Sequence, residues 1–203
     1  MFRIITVFLV IIGLLAQAAI CGQDHSLEKI SQSLGHDGVL TASFIQKKKI
    51  TGLPAPLVSS GTLTVQNGKG IVWETETPFP ITLLLNQHGI FQIDEGKKTN
   101  LVHGRNQDKT ILNILSKVLN GNFNTITEFK VKVLEMEGDN YWKIDLLAQG
   151  AIAKFITKIQ IDGNQFIRKI VIQRANKDTD EITLSQHQLT KTPAADIANL
   201  LND

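Results

Sequence analysis

Histidine is the residue type in this chain that most readily supplies general-base or metal-binding chemistry. Zinc sites on helices place two histidines four residues apart, so that both imidazoles leave the same face. No two of the five histidines have that spacing, and they are scattered at His25, His36, His88, His103 and His187. We interpret them as surface or turn residues and expect no metal site.

Serine and carboxylate patterns do not form a catalytic constellation either. Ser59-Ser60-Gly61 resembles a nucleophile turn, but it leads into a strand pattern and has no histidine nearby. Glu74 and Glu76 lie two residues apart, which on a strand places both carboxylates on one solvated face. An enzyme would need a site assembled wholly from distant residues. We therefore expect no catalytic residues, no enzyme activity and no cofactor.

The charge of the chain is nearly balanced, with 21 Lys and Arg against 19 Asp and Glu and a formal net charge of +2. Its one cationic run is Lys47-Lys48-Lys49. Nucleic acids are bound by basic surfaces, and single strands also by aromatic residues placed among the basic ones. Aromatic residues are absent from this run, so we interpret it as a solvated strand end and expect no nucleic-acid partner.

The N-terminal residues have the three-part layout of a secretory signal peptide. Arg3 gives a positive start, residues 4–15 form an apolar run, and small residues follow at Ala16, Ala18 and Ala19. The apolar run is shorter than the roughly 20 residues that span a bilayer. We predict a signal peptide over residues 1–21, with cleavage between 18 and 22, and a single mature domain over residues 22–203. A retained membrane anchor is the alternative.

Cys21 is the single cysteine, so no disulfide can form within the chain. A cysteine close to a cleavage site also fits a lipoprotein, whose thiol carries a diacylglyceryl anchor. That processing normally follows a small residue, whereas Ile20 precedes Cys21. We favour a mature protein without this anchor, with lipidation of Cys21 as the alternative.

Periodicity predicts many strands and three helices. Helical spacing occurs over residues 24–34, 108–119 and 193–201. Strand patterns joined by turn sequences occur over residues 39–50, 60–65, 70–75, 81–85, 89–93, 129–136, 141–147, 152–162, 166–174 and 181–190. A long antiparallel meander curls strongly. We therefore predict a mainly β (α+β) fold, an incomplete and strongly curved antiparallel β-barrel with helices covering its concave apolar face.

One side of the predicted strands is strongly apolar. Alternation gathers on it Leu63, Val65, Ile71, Trp73, Ile81, Leu83, Leu85, Phe91 and Ile93, and from later strands Trp142, Ile144, Leu146, Ile159, Ile161, Ile170 and Ile172. A packed core explains most of these positions. A curved sheet with only two or three covering helices also favours a partly empty cavity for acyl chains or other apolar ligands. The helix over residues 108–119 would be its lid, through Ile111, Leu112, Leu115, Val118 and Leu119.

Three motifs resemble one family, the periplasmic lipoprotein carriers of the LolA family. LTASFIQK at residues 40–47, which contains Phe44, is similar to the A-x-F-x-Q-K opening strand of that family. GTLTV at residues 61–65, followed by Trp73 and Pro78, resembles its G-x-L-x-V, W and P hairpin, and GIFQID at residues 89–94 resembles the next strand. The resemblance is specific residue by residue over 44–94 and extends as an order of elements over nearly all the mature chain.

The resemblance implies an apolar interior that takes the acyl chains of lipoproteins released from the inner membrane, without covalent chemistry. As partners it implies an acylated lipoprotein or another lipid-linked cargo, an inner-membrane release complex and an outer-membrane acceptor. We expect a periplasmic monomer. The candidate cavity residues are Phe44, Leu63, Val65, Ile71, Trp73, Leu83, Leu85, Phe91, Ile93, Trp142 and Ile144. The alternative is a periplasmic protein-interaction module with a filled β core and no lipid cargo.

The hairpin turn departs from the family pattern. Members of the family carry an Arg-Pro pair there, whose Arg hydrogen-bonds to the lid and helps to keep the cavity closed. Asn67-Gly68 stands at this latch position here. Asn has a shorter reach and no charge, so it cannot form the same multidentate contact. Lys69 or Arg105 would be the replacement cation, and we expect a divergent member of the family.

Overall fold

The structure is a computed structural model that describes residues 18–101, 106–137 and 141–202. The predicted signal segment up to residue 17, together with His103 and Arg105, lies outside the described residues. The side chains of Cys21 and His25 also lie outside the described part of the structure, although their backbone belongs to a helix.

Eleven strands and three helices form the described part of the chain. The helices are α1 (Ala18–Leu34), α2 (Asn106–Leu119) and α3 (Ala195–Asn202). The strands are β1 (Val39–Lys49), β2 (Leu57–Gln66), β3 (Gly70–Thr77), β4 (Ile81–Asn86), β5 (Gly89–Asp94), β6 (Lys97–Asn100), β7 (Phe129–Glu137), β8 (Tyr141–Ala148), β9 (Ile156–Gly163), β10 (Ile167–Arg174) and β11 (Thr179–Thr190).

All of these strands belong to one antiparallel sheet, in the order β6-β5-β4-β3-β2-β1-β11-β10-β9-β8-β7. The first strand pairs with β2 on one side and with β11 on the other, so it joins the two halves of the meander. The edge strands β6 and β7 are not neighbours, and the sheet therefore stays open. The predicted mainly β fold, an unclosed antiparallel sheet with helices, is confirmed.

The larger apolar cluster lies between one face of the sheet, here called the inner face, and helices α1 and α2. Side chains alternate between the two faces of a strand. The strands from β1 to β4 and from β8 to β11 therefore contribute the residues of one face to this cluster. Ile30 and Leu34 of α1 and the apolar side of α2 cover it. Removal of this surface from water is the main force that stabilises the fold.

A smaller apolar cluster covers the opposite face, here called the outer face. Val72 of β3 and Leu84 of β4 pack there against Ile197 and Leu201 of α3. Because both faces of β3 and β4 are covered, these strands contain consecutive apolar residues rather than strict alternation. The helix predicted at the end of the chain therefore forms, and it lies on the face away from α1 and α2.

The faces of β5 differ from the prediction. Phe91 and Ile93 pack against the outer cluster, and Ile90 is the buried residue on the inner face. The register explains this, because Ile90 pairs with Leu85 and Phe91 pairs with Leu84. The prediction that Phe91 and Ile93 line the inner face is therefore wrong.

One strand was not predicted, and two elements start at other residues than predicted. The sequence analysis did not predict β6, whose four residues are all polar. Glu95 and Gly96, with φ of 48° and 79°, form the two-residue turn that folds it onto β5. The first helix begins at Ala18 rather than at residue 24. The strand predicted from residue 152 begins at Ile156, because a short 3-10 helix occupies Gly150–Lys154.

Candidate ligand-binding site under the second helix

Helix α2 covers the inner face with one apolar side. Four of its predicted lid residues, Ile111, Leu115, Val118 and Leu119, are buried in the inner cluster, and Leu112 is partly buried against it. Ile114, which is 1% exposed, belongs to the same side and was not among the predicted lid residues. The helix therefore covers the inner face with its apolar stripe, and its role as a lid stays a prediction.

The end of α2 is fixed by its backbone. The amide N–H of Gly121 donates to the carbonyl of Val118 at 3.0 Å, and that of Asn122 donates to Lys117 at 2.8 Å. Gly121 has a φ of 68°, which glycine adopts without strain at a helix C-terminus. A Cβ at this position would lie 2.9 Å from the carbonyl oxygen of Ser31, so the glycine also lets α2 approach α1 closely.

Nine of the eleven predicted cavity residues lie on the inner face of the sheet. Eight are buried and Leu83 is partly buried, namely Phe44, Leu63, Val65, Ile71, Trp73, Leu83, Leu85, Trp142 and Ile144. The rings of Phe44 and Trp73 pack at a centroid distance of 4.6 Å. The structure also adds Ile90, which the sequence analysis did not include on this face. Whether these residues bind a ligand stays a prediction.

The two tryptophans have different surroundings. Trp73 packs on Phe44 on the inner face of the β1–β5 half. Trp142 donates from its indole Nε1 to the carbonyl of Asn164, in the turn between β9 and β10. The same ring lies against Gly163, where a Cβ would come within 2.8 Å of it. This anchoring explains Trp142 as a packing residue of the far half of the sheet.

Described side chains nearly fill the space where the ends of α1 and α2 meet the sheet. A gap bounded by Leu34, Leu63, Val65, Leu119 and His187 has a volume of about 10 Å³. Sites for small ligands are about 300–1,000 Å³, and one water needs roughly 10–15 Å³. In this conformation the gap is therefore too small for an acyl chain, which could enter only if α2 moved away from the sheet.

A polar cleft opens where α2 meets the turns of two hairpins. Its volume is about 290 Å³. We call it the amide cleft, because its walls include Gln66, Asn67, Asn86, Gln87, Asn113, Asn120 and Asn122. Leu85 and Ile90 also line it, and both belong to the inner apolar cluster. The cleft thus lies directly beside the covered apolar face.

The latch position makes a different contact from the one implied by the resemblance. Asn67 is exposed, and its Nδ2 donates to the carbonyl of His36 at 3.5 Å, in the loop after α1. Lys69 donates from Nζ to Oδ1 of Asn202 in α3 at 2.8 Å. Neither bond reaches α2. Lys69 therefore does not replace the family Arg as a lid contact in this structure.

Three rings pack together where the loop after α1 meets the last strands, with His36 tilted against Phe166 and His187 stacked on it. His36 lies 5.1 Å from Phe166, and Phe166 lies 4.9 Å from His187, between ring centroids. Burial lowers the pKa of the His36 imidazole below its ordinary value. Burial is also the main cause that lowers the pKa of His187, which Arg168 lowers further and which the hydrogen bond to Ile167 opposes. Both imidazoles are thus held towards their neutral forms.

Groups that could perform chemistry have structural contacts instead. The hydroxyl of Ser60 lies 2.7 Å from that of Thr77, and Ser59 donates to Gln46 at 3.5 Å. Burial, followed by the nearby Asp196 and Glu76 carboxylates, raises the pKa of Glu74 on the outer face. Among the described residues, no three His, Cys, Asp or Glu side chains lie close enough together to hold a metal ion.

The order of elements, the covered apolar face and the hairpin around Trp73 can be compared with known proteins. The family description "Outer membrane lipoprotein carrier protein LolA" matches residues 38–198. The chain belongs to the LolA family. That match spans the whole sheet and the first half of α3. It also includes both α2 and the divergent Asn67 turn, so the family assignment covers the whole candidate site. Among curated proteins no sequence matches.

The chain also resembles solved structures of low sequence identity. A domain assigned to outer-membrane lipoprotein sorting in Vibrio parahaemolyticus has a TM-score of 0.50 at 8% identity, over 88% of this chain and 97% of that chain. A LolA superfamily protein from Nitrosomonas europaea gives 0.49 at 10% identity, over 84% and 95%. MucB in complex with MucA, from Pseudomonas aeruginosa, gives 0.49 at 7% identity, over 84% and 58%. At these identities the likeness concerns the fold alone.

None of the helices in the described residues is long and apolar enough to cross a membrane.

Sequence reasoning missed the amide cleft. Its residues come from the β2–β3 turn, the β4–β5 turn and the C-terminal half of α2. Each segment contributes Asn or Gln side chains, and each was interpreted as ordinary turn or helix-end chemistry. The available signal was that amide side chains recur in both hairpin turns and at the end of the covering helix.

Proposed function

We propose that this protein is a periplasmic carrier that binds the acyl chains of a lipoprotein, or of another lipid-linked cargo, between α2 and the inner face. It carries this cargo towards the outer membrane without covalent chemistry. Membership of the LolA family supports the proposal. The observation that carries it is that an amphipathic helix covers the apolar face formed by Ile71, Trp73, Leu85 and Ile90. Such a cover can be exchanged for an acyl chain.

The energetics of that exchange are balanced. A sixteen-carbon acyl chain gains about 12 kcal/mol when it is fully buried, at about 0.8 kcal/mol per CH₂. Lifting α2 exposes its five buried apolar side chains, Ile111, Ile114, Leu115, Val118 and Leu119. At about 1.5–3 kcal/mol each, this costs roughly 8–15 kcal/mol. Because the two terms nearly cancel, the carrier holds its cargo weakly enough to release it.

The latch contact in this chain fits weak holding of the lid. Asn67 is bonded to the loop after α1, and Lys69 is bonded to α3. Opening α2 therefore breaks neither of these hydrogen bonds. The closed form depends on apolar packing, which the incoming acyl chain replaces with packing of the same kind.

The cellular part of the proposal comes from the sequence. Residues 1–21 direct export to the periplasm, and residues 22–203 form the mature carrier. The carrier receives its cargo from an inner-membrane release complex, acts as a monomer and passes the cargo to an outer-membrane acceptor. Cys21 carries no lipid anchor in this proposal.

Native mass spectrometry tests the proposal. The mature protein is purified, delipidated and mixed with a diacylated lipopeptide, and the expected result is a one-to-one apolar adduct. Trp73→Glu places a charge on the inner face and should abolish the adduct. Glu76→Gln, at an exposed outer-face position of the same strand, is the matched control and should leave it unchanged. No adduct with the folded wild-type protein would contradict the proposal.

A protein-interaction module with a filled core is the second candidate. The gap of about 10 Å³ on the inner face favours it directly. Apolar side chains are also exposed at one end of the sheet, where Phe79 is 79%, Leu57 55% and Val58 51% exposed. Exposed apolar patches mark interaction sites. In this case the delipidated protein would capture no acyl chain, whatever the state of α2.

A further inference from the structure

The amide cleft contains polar atoms that are buried but unpaired. Oε1 of Gln66, Nδ2 of Asn86 and Oδ1 of Asn120 are shielded from solvent and have no hydrogen-bond partner among the residues that the structure describes. The three atoms belong to the end of β2, the end of β4 and the end of α2. Buried polar atoms are nearly always paired, so these three need a partner.

The orientation of two of these amides is fixed by their other atom. Asn86 accepts a hydrogen bond at Oδ1 from the backbone N–H of His88, at 2.9 Å. Asn120 donates from Nδ2 to the carbonyl of Ser116, at 2.8 Å. These bonds leave a donor free on Asn86 and an acceptor free on Asn120. The cleft thus offers unpaired donors and acceptors together.

The cleft matches a neutral ligand rather than an anion. Asn, Gln and Ser side chains line it together with backbone from Gly residues, and among the described residues of its lining Lys69 alone is charged. The ammonium of Lys69 is bonded to Asn202. An anionic head group is normally bound by Arg or by several cations. The described part of the lining contains no aromatic residue, which would stack on a flat ring.

A polypeptide backbone has the complementary chemistry. Each peptide unit presents one N–H donor and one C=O acceptor, and amide side chains pair with both. The cleft also adjoins Leu85 and Ile90 of the inner face. A lipid-linked peptide could therefore place its acyl chains under α2 and its first peptide units in the cleft.

We propose that the amide cleft binds the polypeptide backbone of the cargo in the residues next to its acylated residue. This inference rests on the proposed carrier function. It identifies the part of the cargo that the carrier recognises besides the acyl chains. Because peptide groups are common to all sequences, the cleft distinguishes lipid-linked polypeptides from free lipids without selecting a particular sequence.

Three probes with the same acyl chains test this. They are palmitate, a dipalmitoylglyceryl-cysteine amide without further residues, and the same lipid followed by Ser-Ser-Asn amide. The expected result is that the wild-type protein binds the lipopeptide about threefold to tenfold more tightly than the cysteine amide, as one or two added hydrogen bonds predict. Gln66→Leu combined with Asn120→Ser should bring this ratio close to one while palmitate binding is unchanged. Asn124→Leu, an exposed Asn outside the cleft, is the matched control.

A second measurement uses the wild-type protein only, in case the double variant does not fold. The side-chain NH₂ signals of Asn86 in an amide-correlation NMR spectrum should shift on addition of the lipopeptide and should shift much less with palmitate.

The outcomes of the binding measurements separate the two proposals. If palmitate does not bind, the carrier function itself fails. If palmitate binds but the lipopeptide has no advantage, the cleft proposal alone is overturned. A dipalmitoylglycerol glycoside that binds better than the lipopeptide would also overturn it, in favour of a sugar.

Discussion

Phe44 and Trp73 pack ring on ring across an intervening strand, with their centroids 4.6 Å apart. Phe44 lies on β1 opposite Gly61 of β2, and Trp73 lies on β3 opposite Leu63 of β2. Gly61 lies between the two rings on β2, at a position where a Cβ would meet the backbone of β3. The two aromatic rings form the floor of the proposed acyl site.

Gly61→Ala should therefore destabilise the fold. A Cβ at this position would clash with the carbonyl oxygen of Glu74, so the backbone of β3 would have to shift. Overpacking of this kind lowers the free energy of unfolding by about 1–3 kcal/mol. Urea denaturation measures the loss. Gly35→Ala is the control, because its Cβ would meet ordinary contacts at 3.5 and 3.6 Å. Equal effects of the two substitutions would contradict the explanation.

Ile114→Ala should raise acyl-chain affinity while it lowers stability. Ile114 is 1% exposed under α2, and its truncation removes about 2–5 kcal/mol of packing from the closed form. Since the acyl chain displaces α2, part of this loss should appear as an affinity gain of about tenfold. Ile197→Ala on α3 is the matched control. Ile197 is 6% exposed in the outer cluster, so its truncation should lower stability and leave acyl affinity unchanged.

That comparison is made by titrating fluorescent palmitate into each folded variant. If both truncations lower acyl affinity alike, α2 is a fixed part of the core rather than a lid.

The ion pair between Arg174 and Asp180 should contribute far more to stability than the pair between Lys169 and Glu181. Arg174 Nη2 lies 2.8 Å from Asp180 Oδ2, and the Asp180 side chain is 3% exposed. Asp180→Ala would leave a half-buried guanidinium unpaired, which costs about 3–5 kcal/mol. The Lys169 and Glu181 side chains are 41% and 39% exposed, so Glu181→Ala should cost about 0–1 kcal/mol. Thermal and urea unfolding of the two variants would reveal the difference, and similar losses would contradict the assignment.

Stability should fall as the pH is lowered from 7.5 to 5.5. Burial lowers the pKa of His36 and of His187 in the folded protein, whereas the unfolded imidazoles titrate at about 6.5. Below that pH the unfolded chain binds protons that the folded chain does not, so acid favours unfolding. Full stability is therefore present above the unfolded pKa. The raised pKa of the Glu74 and Asp162 carboxyls acts in the opposite direction at lower pH.

Urea denaturation at intervals across this pH range measures the slope. The double variant His36→Gln and His187→Gln should have a flatter dependence than the wild type. If the slope is the same in both proteins, the stacked histidines do not set it.

Alternation along the strands was sufficient to predict most of the sheet and its inner face, because a strand with one covered face must alternate. It failed at β5, where Ile90 and Phe91 are adjacent and apolar and both faces are covered. Only the register with Leu84 and Leu85 decides which face each residue occupies, and α3, far along the sequence, covers the second face. A local pattern contains neither of these facts.

The covering helix was predictable and the cleft beside it was not. The apolar stripe of α2 is a local property of one segment, so its periodicity identified it. The amide cleft depends on how close α2 lies to the β2–β3 and β4–β5 turns, and no pattern within any one of these segments specifies that distance. The small size of the gap on the inner face was also unpredictable. It depends on how close α2 lies to the sheet, which the residues of α2 alone do not specify.

The most direct test of the account is quenching of Trp73 by an acyl chain. The protein contains two tryptophans, so Trp142→Phe leaves Trp73 as the single reporter and Trp73→Phe leaves Trp142. Palmitate brominated in mid-chain quenches an indole that it contacts, and unbrominated palmitate is the control. We predict saturable quenching of Trp73 with little quenching of Trp142, because the acyl chain replaces α2 over Phe44 and Trp73. No quenching of Trp73 in the folded Trp142→Phe protein would contradict the account.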